Sequence, residues 1–401
     1  MPVQIDVLFF DAASGHRSCA EALQHGLLQE HPDWDVRAVN LVDILARRPH
    51  LVRRPIAWGI HYFNAQMRRE SYYGNLTLFS ISILWSRLIQ RWPYIVRGLS
   101  EFWTLEGRRP DAVISVTPMF NPLVYAAART VNPDVQCVTI PVDYSEPCSG
   151  YWFTPDHRQT YLIGAPDLEQ TALDLDVLPE DVRMMSGMPV DPRFYAPPTQ
   201  DRRELLTSLD LNPDLPTGVI SFGGQGTVHV LQSMQSIAEA KIPVNVICLC
   251  GRNAPLKAAV ERMSSPFPKV ALAYRPSPPV DILHAADFLI GKPGTMTLTE
   301  ALITRTPFIF INSAGLHCIQ GQNEAWVESR GLGLGVKSPR DVSRAVREVI
   351  SNGSFLAATD RERHRGIFDA VYEISQLLQR RPRYRDAATP VGAPVEQSQM
   401  A

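Results

Sequence analysis

The sequence predicts an α/β chain made of two Rossmann-like domains that face each other across a cleft. Three observations carry that expectation. Short apolar runs alternate with amphipathic ones, as in a parallel sheet wrapped by helices. A strand, a small-residue turn and a helix open the chain, and the same pattern restarts near residue 218. At 401 residues the chain exceeds the roughly 250–300 at which one core stops growing, and its 45% apolar share can fill two.

Taken in order, residues 5–10 read as a compact apolar strand. Ala12-Ala13-Ser14-Gly15 then turns into a helix through Ala20, Leu23 and Leu27. Residues 111–116, 136–140 and 160–163 read as further strands of the first half. The cluster Pro189, Pro192, Pro197 and Pro198 marks a linker. After it come a strand at 218–222, a glycine turn, and strands at 244–250, 270–273, 288–290 and 308–311, with helical patterns between them. The amphipathic run 367–378 reads as a helix packing back on the first domain. The expected division is 1–195, 196–353, a returning helical segment 354–380, and a disordered Pro/Ala/Gln-rich tail 381–401.

Composition removes several classes. A 20% charged share and a net charge of −2 argue against a general nucleic-acid binder. The six cysteines (19, 137, 148, 248, 250, 318) make no CxxC pair and no zinc spacing, so buried reduced thiols are expected. Asp6 and Asp11 flank the short first apolar run, so no signal peptide is expected. No stretch reaches the ~18–20 apolar residues that span a bilayer. Residues 47–97 differ from the rest, with nine arginines against one acid, Glu70, and nine interleaved aromatics. Trp58, Tyr62, Phe63, Phe79, Trp85 and Trp92, with an apolar middle at 76–84, suit an element lying on an anionic membrane. A core-packed pair of helices with a solvated arginine face is the alternative.

The run from Gly291 through Lys292, Pro293, Gly294, Thr295 and Thr297 to Glu300 joins a strand to a helix. Backbone N–H groups at that helix start, with Gly294 allowing close approach, make an anion site for a diphosphate. Glu300, about one and a half turns on, can accept two ribose hydroxyls. A capped helix with Glu300 at the surface is the plain alternative. Gly223-Gly224-Gln225-Gly226 is a second phosphate-approach turn, and Gly251-Arg252-Asn253 closes another strand at the same edge. There Arg252 can neutralise a diphosphate. In the first half, Ser14-Gly15-His16-Arg17 follows the first strand. His16 is a candidate general base or, equally, a hydrogen-bonded cap. Asp143 follows the strand at 136–140 on the same sheet edge, and Asp11 can orient the turn. Asp174-Leu175-Asp176 spells a metal–nucleotide DxD motif but ends a helix pattern instead of a strand, so it is set aside. No G-x-S-x-G elbow, Walker loop or HExxH is present.

Four stretches, DAASGHRSCAEAL from Asp11, RPDAVISVTPMFNPL from Arg109, SGMPVDPRF from Ser186 and GKPGTMTLTEAL from Gly291, together resemble one family. It is that of the monogalactosyldiacylglycerol synthases and processive diacylglycerol glucosyltransferases, related to the N-acetylglucosaminyltransferase that makes lipid II. The resemblance runs from about residue 5 to about residue 350 and is thin at 47–97. It implies a GT-B fold with an N-terminal acceptor domain and a C-terminal nucleotide-sugar domain. It implies inverting transfer of a hexose from a UDP-sugar to a lipid hydroxyl, by default diacylglycerol, without a metal, since helix dipoles and N–H groups stabilise the leaving UDP.

By resemblance, His16 is a base or sugar-orienting group and Asp143 the acid after the middle strand. The backbone of Tyr274-Arg275 meets the uracil ring, Lys292 to Thr297 hold the diphosphate, and Glu300 takes the ribose. Gln320 and Asn323 fall where the family contacts the sugar, while Asp11, Ser14, Gly15 and Arg17 lie on the acceptor side. Two departures stand out: Ala13-Ser14-Gly15 replaces the family's triple glycine, and a Gln stands where an acid usually meets sugar hydroxyls. The sugar therefore stays open between galactose, glucose and another hexose. The expected partners are an anionic membrane surface, a lipid acceptor and a UDP-sugar, with no nucleic acid and no cofactor. The expected location is cytoplasmic, on the inner face of the cell membrane. A transferase or epimerase using another acceptor, and a catalytically silent nucleotide-sugar binder, remain as alternatives.

Overall fold

A computed structural model of the protein describes residues 2–10, 14–46, 54, 58, 59, 62, 72–89, 91–144, 146–154, 158–223, 227–275, 277–312 and 317–379. Asp11, Phe63, Gly224, Gly226 and the 381–401 tail lie outside the described residues, as do the side chains of Ser14 and Gln320. Among the described residues, twelve strands form two six-stranded sheets in which every pairing is parallel. The first holds β1 (Gln4–Phe9), β2 (Asp35–Asn40), β3 (Ala112–Ser115), β4 (Gln136–Thr139), β5 (Thr160–Ile163) and β6 (Val182–Met184), in the order β2-β1-β3-β4-β5-β6. The second holds β7 (Thr217–Ser221), β8 (Asn245–Leu249), β9 (Lys269–Leu272), β10 (Phe288–Gly291), β11 (Phe308–Ile311) and β12 (Gly333–Val336), in the order β12-β11-β10-β7-β8-β9.

Helices cover both faces, which is why the central strands are buried along nearly their whole length. In the first half these are α1 (Ser14–Glu30), α2 (Leu41–Ala46), α3 (Tyr72–Ile89), α4 (Pro93–Leu105), α5 (Asn121–Val131) and α6 (Pro166–Asp174). Then follow α7 (Arg202–Ser208), α8 (His229–Glu239), α9 (Ala254–Arg262), α10 (Val280–His284), α11 (Thr295–Ile303), α12 (His317–Ser329), α13 (Val342–Ser351), α14 (Ser354–Thr359) and α15 (Gly366–Gln379). Strand order reverses between β1 and β3 in one sheet and between β7 and β10 in the other. Chains leaving such neighbours diverge to opposite faces, so each sheet opens a crevice there, at its carboxyl edge.

The proline-rich crossover is a packed connection. Met188, Val190 and Phe194 are buried, and Pro192–Tyr195 form a short 3-10 turn capped by Asp191. At its start three glycines meet: a Cβ at Gly164 or Gly366 would lie 2.5 or 2.1 Å from the Gly187 carbonyl oxygen. From that crossing α15 returns to α1, where Gly26 leaves room for Ile367 and Val371.

Helix α3 has two apolar faces, and they settle how the arginine–aromatic segment packs. Phe79, 3% exposed, sits edge-on to Tyr151 with ring centres 5.0 Å apart. Trp85, half-buried, meets Phe120 edge-on at 6.2 Å. Both were expected to touch membrane, and both instead pack inward. Tyr73, Ile81, Leu84 and Leu88 recur at helical spacing on the opposite, exposed face, followed by Trp92 and Tyr94. Trp58 is exposed and stacks on Tyr62, 5.1 Å between rings.

One charged group lies at the centre of the first domain. Asp6 on β1 is fully buried and receives Arg37 Nε at 2.8 Å from its register partner on β2. Arg108 Nε donates at 2.8 Å and the Trp103 indole at 2.6 Å. Losing that carboxylate's charge removes the fully buried partner shared by both guanidinium groups and leaves them only Glu106 and Asp35 at their outer ends. Asp6→Asn is therefore expected to destabilise the fold by about 3–5 kcal/mol, measured as a drop in the urea midpoint. A midpoint within error of wild type contradicts this role.

Candidate functional site

Both carboxyl edges open on one cleft of about 960 Å³. Gly15, His16 and Asp143 line it from the first domain; Gly223, Gly251, Lys292, Gly294 and Glu300 line it from the second. The two reversal points of the sheets therefore face each other across a single space.

On the first wall, His16 stands in the opening turn of α1, and its Nδ1 lies 2.5 Å from the Val116 carbonyl beyond β3. A carbonyl only accepts, so Nδ1 carries the proton and Nε2 is left as the proton-accepting nitrogen. Burial and, across the cleft, the Lys292 ammonium both lower the His16 pKa, and they outweigh the Val116 bond that raises it. The imidazole is thus neutral near pH 7. Asp143 sits four residues beyond the end of β4. Burial pushes its carboxyl up to about 7, against the pull of the Trp152 indole N–H donating to Oδ2 at 3.1 Å. A carboxyl held near neutrality and an imidazole kept in its neutral form thus share this wall.

The second wall is built around the start of α11. Gly294 is the N-cap in an extended conformation, with no side chain capping the first turn. Its first N–H groups are therefore open to an anion. Lys292 adds a cation whose pKa burial lowers. Asn323 on α12 is fully buried and donates Nδ2 to the Pro293 carbonyl at 2.6 Å and to Thr295 Oγ1 at 3.2 Å. It braces the loop from behind and was expected instead to contact a ligand. Gly15 lies 3.5 Å, measured from its Cβ position, from Met296, so the openings of α1 and α11 meet across the cleft. Glu300 faces the cleft one turn further in, and burial, with the Asp191 charge second, pushes its carboxyl up to about 8.

Other expected residues divide. Thr295, Thr297, Tyr274 and Arg275 line the cleft, and Gly223 and Gly251 turn there with φ of 80° and 59°. Arg252 does not line it: its guanidinium stacks on the Tyr274 ring, 4.4 Å from the centroid. Asn253 caps α9 through its bond from the Leu256 N–H at 2.9 Å. Arg17 lies over the Phe9 ring at 4.8 Å, and Pro293 is buried beneath the loop. The sequence reading assigned no role to Asp191, Arg193 or His25, yet all three line the cleft. Against burial, which pulls the other way, the Arg193 hydrogen bonds hold Asp191 below its ordinary range, and Arg193 also reaches Ser277 of the second domain at 3.1 Å. The signal was available in the Pro-Val-Asp-Pro-Arg stretch, where a short turn sets an acid beside a base. Among the described residues no group of three or more His, Cys, Asp and Glu side chains could hold a metal ion.

Comparison with known proteins agrees with this geometry. The chain is 25% identical over 401 residues to the probable monogalactosyldiacylglycerol synthase 2, chloroplastic, of Oryza sativa subsp. japonica, covering 93% of this chain and 80% of that protein. It is 24% identical to monogalactosyldiacylglycerol synthase 1, chloroplastic, of Arabidopsis thaliana, over 95% of this chain and 72% of that one. It is 25% identical to the processive diacylglycerol beta-glucosyltransferase of Staphylococcus carnosus, a match that spans 62% of this chain and 61% of that enzyme. The resemblance read from the motifs is therefore borne out. No protein-family model matches. Among solved structures, the glycosyltransferase VinC in complex with DTDP aligns with a TM-score of 0.59 at 16% identity, over 94% of this chain and all of that one. SnogD from Streptomyces nogalater aligns at 0.58 and 14%, over 94% and all of the respective chains. These neighbours establish the fold, which is GT-B.

The raised carboxyls carry a consequence for stability. A group whose folded pKa lies above its unfolded value contributes stability that is full below the unfolded pKa and lost as pH rises toward the folded one. For Asp143 and Glu300 the loss runs from about pH 4 to about 7 and about 8. The melting temperature is expected to fall between pH 5 and pH 8.5, and Asp143→Asn or Glu300→Gln should flatten that slope. Equal slopes in wild type and both variants would count against the buried carboxyls.

Proposed function

We propose that this chain, a relative of the monogalactosyldiacylglycerol synthases and processive diacylglycerol glucosyltransferases, is a hexosyltransferase. It moves galactose or glucose from a UDP-sugar to the hydroxyl of a lipid, diacylglycerol first among candidates. What supports this reading most is the opposition of an uncapped helix start with Lys292 and Glu300 to two proton acceptors, His16 and Asp143, in one cleft.

The diphosphate lies at the first turn of α11 beside Lys292, and the ribose hydroxyls donate to Glu300. The lipid hydroxyl enters from the first domain. His16 Nε2 or the Asp143 carboxylate takes its proton as the oxygen attacks the anomeric carbon. The bond from that carbon to the β-phosphate oxygen breaks on the opposite face, which inverts the anomeric configuration. Charge developing on UDP is met by the α11 N–H groups and by Lys292, without a metal in the scheme.

No helix among the described residues is long and apolar enough to cross a membrane. The exposed face of α3 supports docking on an anionic membrane instead, at the inner face of the cell membrane. Ile81, Leu84, Leu88 and Trp92 offer apolar insertion beside exposed Arg87, Arg91 and Arg97.

Purified protein, anionic liposomes carrying diacylglycerol and radiolabelled UDP-galactose or UDP-glucose test the reaction. Label is expected in the lipid phase, and His16→Ala is expected to cut turnover by about 100-fold or more with UDP-sugar affinity unchanged. Full activity in His16→Ala would move the base to Asp143. No transfer from either sugar to any lipid overturns the reaction itself. For docking, Leu84→Glu with Leu88→Glu should abolish co-sedimentation with anionic liposomes; undiminished sedimentation contradicts the α3 surface.

A further inference from the structure

Trp152 touches both candidate proton acceptors. Its ring is buried, its Nε1 donates to Asp143 Oδ2 at 3.1 Å, and its ring centre lies 6.2 Å from that of His16. Tyr151, itself buried, packs edge-on against it at 5.7 Å. The loop that carries Trp152 has no regular secondary structure, so something else must hold it.

Glu146 holds it. One carboxylate oxygen accepts the backbone N–H groups of Gly150 at 3.1 Å and Tyr151 at 2.9 Å, and more distantly that of Phe153 at 3.5 Å. The other accepts the N–H of Trp152 itself at 2.8 Å. Four donors converging on one half-buried side chain fix the backbone on both sides of Trp152. No local propensity would do so in a stretch that contains Gly150 at a φ of 85°.

We infer that Trp152 is the positioning residue of the cleft: its indole orients the Asp143 carboxylate and packs the His16 imidazole, and Glu146 is the anchor that fixes Trp152. An indole N–H only donates, so it favours the ionised carboxylate and pins one oxygen, leaving the other to receive a proton. The kinetic consequence rests on the transfer reaction proposed above; the coupling of Trp152 to Asp143 does not. Beside Asp143 the loop carries Tyr144 and Glu146, and the cleft that Asp143 lines also holds His16, Glu21 and His25 on α1, Asp191 and Arg193 on the crossover, and Arg275, Asp281, Lys292 and Glu300 on the facing wall.

The test begins with the protein itself, without substrate. In NMR of isotope-labelled tryptophan, the Trp152 indole signal is identified among the seven by its loss in Trp152→Phe. It is expected to titrate near neutral pH in wild type and to lose most of that titration in Asp143→Asn, the small remainder following Glu146, whose carboxyl burial also pushes up to about 7. A signal that does not titrate, or titrates equally in Asp143→Asn, overturns the coupling. Glu146→Gln, which turns one acceptor oxygen into a donor, is expected to shift that signal at constant pH; an unmoved signal overturns the anchor. In the transfer assay, Trp152→Phe is expected to move the acid limb of kcat/KM upward by about one pH unit, the size of one hydrogen bond to a charged group. UDP-sugar affinity should be unchanged. An unmoved limb with reduced kcat reduces Trp152 to a packing residue and overturns its positioning role. If wild type transfers no sugar while its indole still titrates with Asp143, the reaction falls and the coupling stands.

Discussion

A parallel strand must hand every following segment to the same sheet edge, and the architecture of the cleft follows from that constraint. Neither sheet has a hairpin among its pairings, so all functional loops leave from carboxyl ends. Where strand order reverses, two neighbouring loops part and leave exposed backbone between them. His16 bridges that gap in the first sheet by bonding Val116, while the Lys292–Thr295 loop borders it in the second. With the two edges opposed, the wall carrying His16 and Asp143 and the wall carrying the uncapped start of α11 meet without either being built by long-range folding of a loop.

Burial then sets the chemistry. A cleft between two packed domains removes water from its acids, so Asp143 and Glu300 are held near neutrality instead of fully ionised. The same desolvation lowers His16 and Lys292, which keeps the imidazole able to accept a proton. The returning helix α15 matters here. By seating Ile367 and Val371 over Gly26 it ties the end of the chain to α1, the helix that carries His16. Tyr144, next to Asp143, packs against Trp326 of α12, so the first wall is also fastened to the second domain.

The central strands were legible because burial on both faces leaves a continuous apolar run, as in residues 288–290 and 308–311. The edge strands β2, β6 and β12 were not, since one open side tolerates Asp35, Arg37 and Arg183, or the glycines of β12. Motif spacing likewise found the loop at 291–297 and Glu300, whose backbone places them. It could not give side-chain direction. Phe79 and Leu84 are both apolar residues of one helix, and only packing decides that the first faces Tyr151 and the second solvent. For the same reason Arg252, Asn253 and Asn323 read as ligand contacts, whereas they stack, cap and brace. Trp152 and Glu146 lay in a loop without a pattern, and their roles come from hydrogen bonds that the sequence does not encode locally.

Calorimetric titration with UDP-glucose and UDP-galactose in buffers of different ionisation enthalpy tests the donor site most directly. Glu300, pushed up to about 8 by burial, carries its proton at pH 7, and hydroxyls donating to it favour the ionised form. Binding is expected to release a proton, and Glu300→Gln is expected to bind more weakly and to release none. Tight binding with the same proton release in Glu300→Gln, or no binding of either UDP-sugar, would contradict the donor site.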